Sequence, residues 1–364
     1  MAVSKLKKGF TTGACATVTA KAATIMLVSQ KPVNMASLTL QGEEKSFQIL
    51  EPEVNPEAAS CHVIKDAGDD PDITNKARVK ATVNWRSDTD IRLHAGEGIG
   101  TVTQKGLPVT VGQPAINPVP RQMITEAVRS VIGEGKGVDV TLSIPGGEKL
   151  AEKTFNPRLG IEGGLSIIGT TGIVEPMSSS AWIKTLEMEC SVMAAEGNRN
   201  WIGVPGNHGR DVAREQLRLP EGKMLKFGNF PDTLLKQAEE HGAETMLLVG
   251  HVAKMVKIAG GIFHLHSKVA DGRLEILTAA LVKCNAPYSL LRTVVNANAV
   301  EEAASIIRQQ GPPDFFDGLS HVITMKAKER TGEAVQVGTV LFSYEEGILG
   351  MCTQAKAILE VMTS

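Results

Sequence analysis

The second half of this 364-residue chain repeats one order of segments: an apolar run, a turn rich in glycine or polar residues, and a helix-like stretch. Strands that alternate with helices in this way pair in parallel, because the connecting helix crosses the sheet in a right-handed sense. The pattern therefore predicts an α/β domain with a parallel, Rossmann-like sheet. The apolar runs that we take as its first strands are residues 165–168, 201–204, 224–227 and 245–249.

Ligands of parallel sheets bind at the carboxyl ends of the strands. The polar or glycine-rich segments that follow three of the predicted strands are residues 169–172, 205–209 and 250–251. We therefore expect these three segments to lie along one ligand-binding rim.

The first half alternates apolar and polar residues over short runs, which is typical of strands in a sheet with one face in water. Two helices are predicted, one in the Ala-rich segment that Thr11 or Thr12 can cap and one over residues 118–134. We therefore expect an α+β domain with a mixed sheet over residues 1–160, followed by the α/β domain over residues 161–364 with a mostly helical C-terminal region. The further predicted strands are residues 37–40, 45–50, 60–66, 78–85, 90–94, 109–111, 138–144 and 335–342.

The composition excludes several classes of protein. A hydrophobic content of 42% is enough to fill two cores, and a net charge of −2 provides no basic excess that would indicate a nucleic-acid partner. The five cysteines are far apart and form no CxxC pair, which favours reduced thiols over disulfides or a zinc site. The N-terminal segment has no apolar leader, and no run of 18 apolar residues occurs, so we expect no signal peptide and no membrane span.

A glycine turn follows the first predicted strand of the second half. Gly169, Thr170, Thr171 and Gly172 stand between that strand and a predicted helix. A strand, a glycine turn and a helix in this order can present backbone N–H groups to an anion or a nucleotide. The chain has neither a P-loop nor a GxGxxG motif, so the turn predicts a ligand edge without identifying the ligand.

Three carboxylates lie within four residues at Asp69, Asp70 and Asp72. Neighbouring carboxylates repel, so one of them could hold a raised pKa suited to proton transfer, or the group could bind a divalent ion. An acidic turn with a structural role is the alternative. Glu97 lies in a loop with alternating glycines, which either lets a ligand approach the backbone or forms a bulged hairpin.

Asn117 and Arg121 stand at the start of the second predicted helix. Asn117 can cap the helix, and Arg121 falls in the first turn, where the macrodipole disfavours a cation. A bound carboxylate would relieve that conflict. Cys15 lies near the start of the first helix, and we interpret it as a small packing residue rather than a nucleophile.

Histidines provide a further set of candidates. His208 and His251 fall in the rim segments and could act as general bases near neutral pH. His264 and His266 alternate, so in a strand they would share one face. No third ligand stands near them, and we therefore expect no resident metal.

The chain resembles the cobalt-precorrin-5B C1-methyltransferase family, CbiD, of anaerobic cobalamin biosynthesis. The likeness covers nearly the whole chain, and it rests on motifs that occur in one order. These are GFTTGACATVTAKAA (9–23), GDDPDIT (68–74), GEGIGTVTQKGL (96–107), GQPAINPVPRQMI (112–124), NPRLGIEGGLSIIGTTGIVEPMS (156–178), PGNHG (205–209) and HSKVADGRLEIL (266–277).

The resemblance implies a cytoplasmic enzyme that transfers a methyl group from S-adenosyl-L-methionine to C1 of cobalt-precorrin-5B, which gives cobalt-precorrin-6A. The implied partner is a cobalt-corrinoid small molecule, without nucleic acid or membrane. A homo-oligomer and transient contacts with neighbouring pathway enzymes are further expectations.

Site roles rest on the physical character of the residues. The catalytic candidates are Asp69, Asp70, Asp72, Glu97 and His208. The cofactor-binding candidates are Gly169, Thr170, Thr171, Gly172 and Asn207. The candidates for binding the carboxylates of the macrocycle are Thr12, Asn117, Arg121, Arg158 and His266.

Two other functions compete with the methyltransferase. A dinucleotide-dependent oxidoreductase would require a GxGxxG motif after a strand, and this chain has none at the right place. A non-catalytic corrinoid carrier would need no S-adenosylmethionine site, and it could use His264 or His266 as an axial ligand of cobalt.

Overall fold

The computed structural model describes residues 6–332 and 334–363, and the chain forms two compact units, Met1–Ser180 and Ala181–Ser364. The predicted boundary after residue 160 is therefore 20 residues too early. The segment between the two boundaries belongs to the first unit, because Ile161–Glu162 and Ile173–Val174 pair with strands of that unit.

The first unit is a mixed α/β assembly, as predicted. Its strands are β1 (Gly9–Phe10), β2 (Met35–Leu40), β3 (Glu43–Gln48), β4 (Leu50–Val54), β5 (Ala58–Ile64), β6 (Arg78–Arg86), β7 (Ile91–Ala95), β8 (Thr101–Val102), β9 (Gly137–Ser143), β10 (Ile161–Glu162) and β11 (Ile173–Val174). Its helices are α1 (Thr12–Ser29), α2 (Pro118–Ile132), α3 (Gly147–Ala151) and a 3-10 helix over Asn156–Leu159.

The main sheet of the first unit has the order β4-β5-β6-β9-β7. Its pairs are antiparallel except β7 with β9, which is parallel. The predicted strand at 109–111 is wrong, because these residues form bends and loop. The remaining predicted strands of this half are present with small shifts at their ends, and β4 was not predicted as a separate strand.

Helix α1 is the central helix of the first unit. Its predicted cap is confirmed, since the Thr11 hydroxyl accepts a hydrogen bond from the Ala14 amide at 3.1 Å. By length and hydropathy α1 would also suit a membrane span, but 78% of it is buried inside the protein, as in a core helix. Met26 and Leu27 are fully buried, and each contributes about 1.5–3 kcal/mol by leaving water.

The second unit contains a parallel sheet flanked by helices. Its strands are β12 (Asn200–Val204), β13 (Met224–Lys226), β14 (Thr245–His251), β15 (Gln336–Ser343) and β16 (Gly347–Met351). Its helices are α4 (Ser179–Ala195), α5 (Asn207–Glu215), α6 (Pro231–Glu240), α7 (Val252–Ala259), α8 (Arg273–Lys283), α9 (Tyr288–Val295), α10 (Val300–Gln310), α11 (Phe315–Thr331) and α12 (Thr353–Thr363), with a 3-10 helix over Glu221–Lys223.

The strand order in the second unit is β13-β12-β14-β15-β16. The first four strands are parallel, and β16 is antiparallel to β15. The sheet extends from β12 in both directions, first to β13 and then to β14 and β15. The carboxyl ends of β12 and β14 therefore flank the point at which the strand order reverses, which is where open α/β sheets hold their ligands.

The predicted strand at 165–168 does not belong to this sheet. Leu165 and Ile167 form only isolated bridges, with Ile99 and Ile116 of the first unit. The run is apolar because Leu165 and Ile167 lie in the core of the first unit, whereas Ile168 is 44% exposed. The parallel sheet therefore begins with β12, and its fourth parallel strand is β15.

Candidate functional site

Several predicted site segments of the first unit meet at the start of α1. The Thr12 hydroxyl accepts a hydrogen bond from the Ile168 amide at 3.0 Å, and the Gly13 amide donates to the Ile168 carbonyl at 2.9 Å. The Asn117 amide donates to the Ile167 carbonyl at 3.0 Å. The substrate candidate Thr12 is 4% exposed, so its hydroxyl serves internal backbone contacts and does not face a ligand.

The predicted cofactor turn closes onto the same helix. Gly169 has a φ of +126°, and a side chain there would come within 2.3 Å of the Thr11 hydroxyl. The Thr11 amide donates to the Gly172 carbonyl at 3.0 Å, and the Thr171 hydroxyl hydrogen-bonds to the backbone of Ile173. Thr170 lies between Gly169 and Thr171 in the same turn.

The rim prediction is therefore wrong for residues 169–172. No strand of the parallel sheet precedes this turn, since the sheet starts at β12 in the second unit. The other two rim segments do lie together. A side chain added at Gly250 would meet Pro205 at 3.3 Å, because the ends of β12 and β14 are neighbours.

Asn117 and Arg121 stand at the start of α2 in the first unit. Asn117 is the N-cap residue of α2, but its side chain makes no capping hydrogen bond, contrary to expectation. Arg121 is half-buried in the first turn of α2, and no ion pair or side-chain hydrogen bond engages its guanidinium within the described residues. Arg158 is exposed in the 3-10 helix that precedes β10.

The acidic loop is built around a buried ion pair. Lys65 is 1% exposed, and its ammonium donates to Asp72 Oδ2 at 2.6 Å. Asp72 Oδ1 accepts from the amide and the hydroxyl of Thr74, both at 2.7 Å. Burial alone would raise the pKa of Asp72, but Lys65 and these hydrogen bonds together hold it below its usual value. Asp72 is thus held as a carboxylate by its structural partners.

The other two aspartates of this loop join separate chain segments. Asp69 Oδ2 accepts from the Lys7 amide at 2.6 Å, and Asp70 Oδ1 accepts from the Met177 amide at 2.8 Å. The three carboxylates therefore bind three different parts of the first unit. This favours the structural alternative for the acidic turn over proton transfer.

The loop with alternating glycines packs backbone against backbone. A side chain at Gly98 would lie 2.0 Å from the Ile144 carbonyl oxygen, and one at Gly164 would lie 2.4 Å from Gly98. Glu97 is exposed and accepts a hydrogen bond from the Gly146 amide at 3.3 Å. The glycines are needed because chain segments cross closely here, which requires no ligand.

In the second unit, a cluster of aromatic rings forms at the ends of β14 and β15. His251 stacks on Tyr344 with 4.2 Å between ring centroids, and His208 meets Tyr344 edge-on at 5.0 Å. A cavity of about 180 Å³ lies beside the cluster. Its lining is His208, Asp211, Val212, Glu215, Gln216, Phe342, Ser343, Tyr344 and Gly347.

His251 is held in one tautomer. Its Nδ1 accepts from the Ala253 amide at 3.1 Å, so its Nε2 carries the proton that is donated to Glu301 at 2.6 Å. Burial lowers the pKa of His251, although Glu301 acts in the opposite direction. His208 is exposed in the first turn of α5, and its ring nitrogens have no hydrogen-bond partner in the part of the chain that the structure describes.

Two lysines that the sequence reading missed lie at the same edge. Lys226 ends β13 and donates to the Asn207 side-chain oxygen at 3.0 Å. Lys254 lies in the first turn of α7, directly after β14. Lys254 could have been noticed in the sequence, because it falls at the start of a predicted helix, where the macrodipole disfavours a cation unless an anion is bound.

His264 and His266 do not lie in a strand that would place them on one face, because residues 262–266 form a loop. A buried lysine holds this loop in place. Lys257 is 2% exposed and donates to the carbonyls of Leu265 and Ala270 at 3.0 and 2.7 Å. His266 is exposed, and its Nδ1 accepts from the Lys268 amide at 3.1 Å.

Within residues 6–332 and 334–363, no three His, Cys, Asp or Glu side chains are grouped so that they could hold a metal ion. Burial raises the pKa of the Cys15 thiol to about 12, which agrees with a packing role for this residue.

Family comparisons cover most of the chain. The CbiD family model matches residues 1–176, and the model of the CbiD C-terminal domain matches residues 264–353. A protein of Alkaliphilus metalliredigens named cobalt-precorrin-5B C(1)-methyltransferase is 46% identical over 99% of this chain and 96% of its own length. A protein of the same name from a Thermoanaerobacter species is 42% identical over 95% of each chain.

One solved structure is also similar in sequence. It is a crystal structure of the cobalamin biosynthesis protein CbiD from Archaeoglobus fulgidus, which is 25% identical and covers 72% of this chain and 83% of its own. The TM-score of 0.37 is too low for that structure to bear on the fold.

Proposed function

Since the chain belongs to the CbiD family, we propose that it methylates C1 of cobalt-precorrin-5B with S-adenosyl-L-methionine as the methyl donor. The product is cobalt-precorrin-6A, and the reaction belongs to anaerobic cobalamin biosynthesis. The observation that carries this proposal is the 46% identity, over 99% of the chain, to a relative that bears the name of this activity.

The chemistry asks for alignment and binding more than for covalent steps by the protein. S-adenosylmethionine supplies an activated methyl group when it is bound. The residues of this chain must then hold donor and acceptor in line and exclude water from the reacting atoms.

The substrate is a macrocycle with several acetate and propionate groups, so cations without an internal partner are the best candidates to hold it. Arg121 fits this requirement, because its guanidinium has no ion pair among the described residues and its planar fork matches a carboxylate. The helix macrodipole opposes a cation in this turn, and a bound carboxylate would offset that effect.

We place the cofactor at the carboxyl edge of the parallel sheet in the second unit, beside β12 and β14, where the strand order reverses, and we propose that the sheet is used there in the manner of a Rossmann fold. The position of a Cβ at Gly206 has no atom within 4 Å, so the turn after β12 leaves room for a ligand against the backbone. The first N–H groups of α5 are free of intrahelical partners and adjoin this turn. Of the predicted cofactor residues, Asn207 remains in this proposal.

A proton released from the macrocycle needs an acceptor. Of the predicted bases, His208 has ring nitrogens that no described residue engages, whereas the three aspartates bind protein groups. We therefore assign proton uptake to His208.

A cytoplasmic location, a homo-oligomer and transient contacts with neighbouring pathway enzymes belong to the same proposal. The carrier alternative gains no support from the relatives, which are named as methyltransferases.

The proposed activity is tested with purified protein, cobalt-precorrin-5B and S-adenosylmethionine that carries an isotope-labelled methyl group. We expect the label in the product at C1 by mass spectrometry and NMR, and saturable binding of S-adenosylhomocysteine by calorimetry. Corrinoid binding without label transfer, and without any binding of the cofactor product, would favour the carrier instead.

A His208→Gln variant tests the proton acceptor. We expect turnover to fall about 100-fold, since general-base catalysis typically contributes 10²–10⁴-fold, while S-adenosylhomocysteine affinity is kept. Unchanged turnover would remove His208 from the mechanism.

A further inference from the structure

The carboxyl edge of the parallel sheet holds Lys226 in a fixed position. Its ammonium donates to Asn207 Oδ1 at 3.0 Å and lies 5.7 Å from the centre of the Trp182 ring. Neither neighbour carries a charge. The Lys226 side chain is therefore oriented by a polar group and a ring, while no ion pair with a described residue compensates its positive charge.

Lys254 follows β14, which lies on the other side of β12 from β13 at the same carboxyl edge. It is half-buried in the first turn of α7, and no ion pair or hydrogen bond engages its ammonium within the described residues. Burial lowers the pKa of Lys254, and the charges of Lys226 and Lys257 lower it further. Among the described residues no acidic side chain opposes this effect, so Lys254 and the nearby Lys226 lie at this edge of the sheet without a counter-charge.

Such an arrangement is unfavourable for the protein alone. Charged groups that leave water are normally paired, and the start of α7 adds partial positive charge to the region. A bound anion would offset the charges of Lys226 and Lys254 and the partial positive charge at the start of α7.

We propose that Lys226 and Lys254 together bind a carboxylate of the corrinoid macrocycle at the carboxyl edge of the parallel sheet in the second unit. The inference rests on the proposed function for the identity of the ligand. Asn207 acts as a positioning residue, because its side-chain oxygen fixes the Lys226 ammonium.

The cofactor also has a carboxylate, but its net charge disfavours it here. S-adenosylmethionine carries one carboxylate, one ammonium and one sulfonium, so two lysines would repel the molecule as a whole. The macrocycle is a polyanion, and lysine pairs attract polyanions both at contact and during approach. We therefore assign the bound carboxylate to the macrocycle and not to the cofactor.

The test compares two corrinoids in calorimetric titrations. Cobyrinic acid carries free peripheral carboxylates, whereas cobinamide carries amides at those positions. The variants are Lys226→Gln, Lys254→Gln and the double variant. Lys356→Gln on α12 is the control, since this exposed lysine lies 3.8 Å from Asp317.

We expect each single variant to bind cobyrinic acid about 10- to 100-fold more weakly, as for loss of a charge-assisted hydrogen bond, with the control unchanged. Affinity for cobinamide should stay the same, and affinity for S-adenosylhomocysteine should fall much less than that for cobyrinic acid, with any effect confined to Lys226→Gln through its bond to Asn207. Asn207→Ala should weaken cobyrinic acid binding less than either lysine variant does. Thermal unfolding of all the variants confirms that the fold is kept.

Three results would overturn the inference. These are no binding of cobyrinic acid by the unmodified chain, equal binding by the lysine variants, and a loss confined to S-adenosylhomocysteine, which would assign the lysines to the cofactor carboxylate. Failure of the proposed function is seen separately, as absence of label transfer to cobalt-precorrin-5B. Lysine-dependent binding of cobyrinic acid would support the site in either case.

Discussion

Each of the two units removes a lysine from water, but the two lysines differ in what surrounds them. Lys65 in the first unit is 1% exposed and pairs with Asp72 at 2.6 Å. Lys254 in the second unit is half-buried without a carboxylate among the described residues. The first lysine has its counter-charge within the protein, whereas the second has none among the described residues, which is why we propose a ligand there.

The same contrast extends to the surroundings of each lysine. In the first unit, Asp69 and Asp70 bind backbone amides, and the glycines of the motif loops fill close backbone crossings. In the second unit, His208 is exposed and Lys226 is half-buried at the edge of the sheet, and neither has an acidic partner among the described residues. A polar motif therefore points to a ligand only where its groups are not already bonded inside the protein.

The largest effect is expected for Asp72→Asn. The change leaves the Lys65 charge buried without a carboxylate, so the free energy of unfolding of the first unit should fall by about 3–5 kcal/mol. Hydrogen exchange of amides in β5 and β6 during urea titration measures this unit separately.

Asp69→Asn is the matched control for that variant. Asp69 is exposed and accepts one hydrogen bond from Lys7, so its loss should cost about 1 kcal/mol or less. If both variants lost the same free energy of unfolding, the Lys65–Asp72 ion pair would contribute no more stability than one exposed hydrogen bond.

A second test compares two glycines with left-handed backbones in the first unit. Gly98 has a φ of +71° and would place a Cβ 2.0 Å from a carbonyl oxygen, whereas Gly112 has a φ of +84° and open space. Gly98→Ala should therefore destabilise the first unit by about 1–3 kcal/mol more than Gly112→Ala, which brings only the strain of a side chain at positive φ. If the two changes were equally mild, the close crossing at Gly98 would not be structural.

Arg121 is the exception in the first unit, and α2 offers a matched pair to test it. Arg121→Gln should weaken cobyrinic acid binding about tenfold without changing the melting temperature, because the guanidinium has no described partner to lose. Arg129 donates to the carbonyls of Thr89, Gly133 and Lys136. Arg129→Gln should therefore lower the melting temperature without changing the affinity for cobyrinic acid. A lowered melting temperature for Arg121→Gln with unchanged affinity would contradict its role in binding.

The smallest effect concerns pH and His251. Its pKa in the folded protein lies below that of the unfolded chain, mainly because of burial, so the unfolded state binds the proton more tightly. The stability gained from the neutral ring is complete above pH ~6.5 and is lost as the pH falls, by at most about 1.4 kcal/mol per pH unit.

His251→Asn tests this expectation, because Asn can also cap α7. We expect the free energy of opening of β14, obtained from hydrogen exchange after correction for intrinsic rates, to depend less on pH between pH ~7 and ~5 in the variant than in the unmodified chain. An unchanged slope would mean that another group titrates there.

Local patterns predicted most elements of the fold. Thr11 was recognised as a helix cap, and the parallel strands of the second unit were located, because caps and apolar runs are written in neighbouring residues. The run at 165–168 failed since its partners Ile99 and Ile116 are distant in sequence, and a short apolar run does not reveal which sheet it joins.

The candidate site was less predictable for the same reason. The pairing of Asp72 with Lys65 depends on the burial of a lysine, which its position in the sequence does not reveal. Lys226 and Lys254 are 28 residues apart in sequence, and they lie at one edge of the sheet only because β13 and β14 flank β12. The sequence shows which residues could bind or catalyse, but it does not show which of them are already bonded to other groups of the protein.

Strand β1 pairs with β11, which joins Gly9 and Phe10 to Ile173 and Val174. During synthesis, the start of the chain therefore leaves the ribosome long before its partner strand exists. Helix α1 follows β1 directly and packs on β2, β5, β6 and α2, so part of its apolar surface stays uncovered until α2 has been made. We expect ribosome-bound chains that stop before β11 to be cleaved by protease near α1, and chains that extend past it to resist.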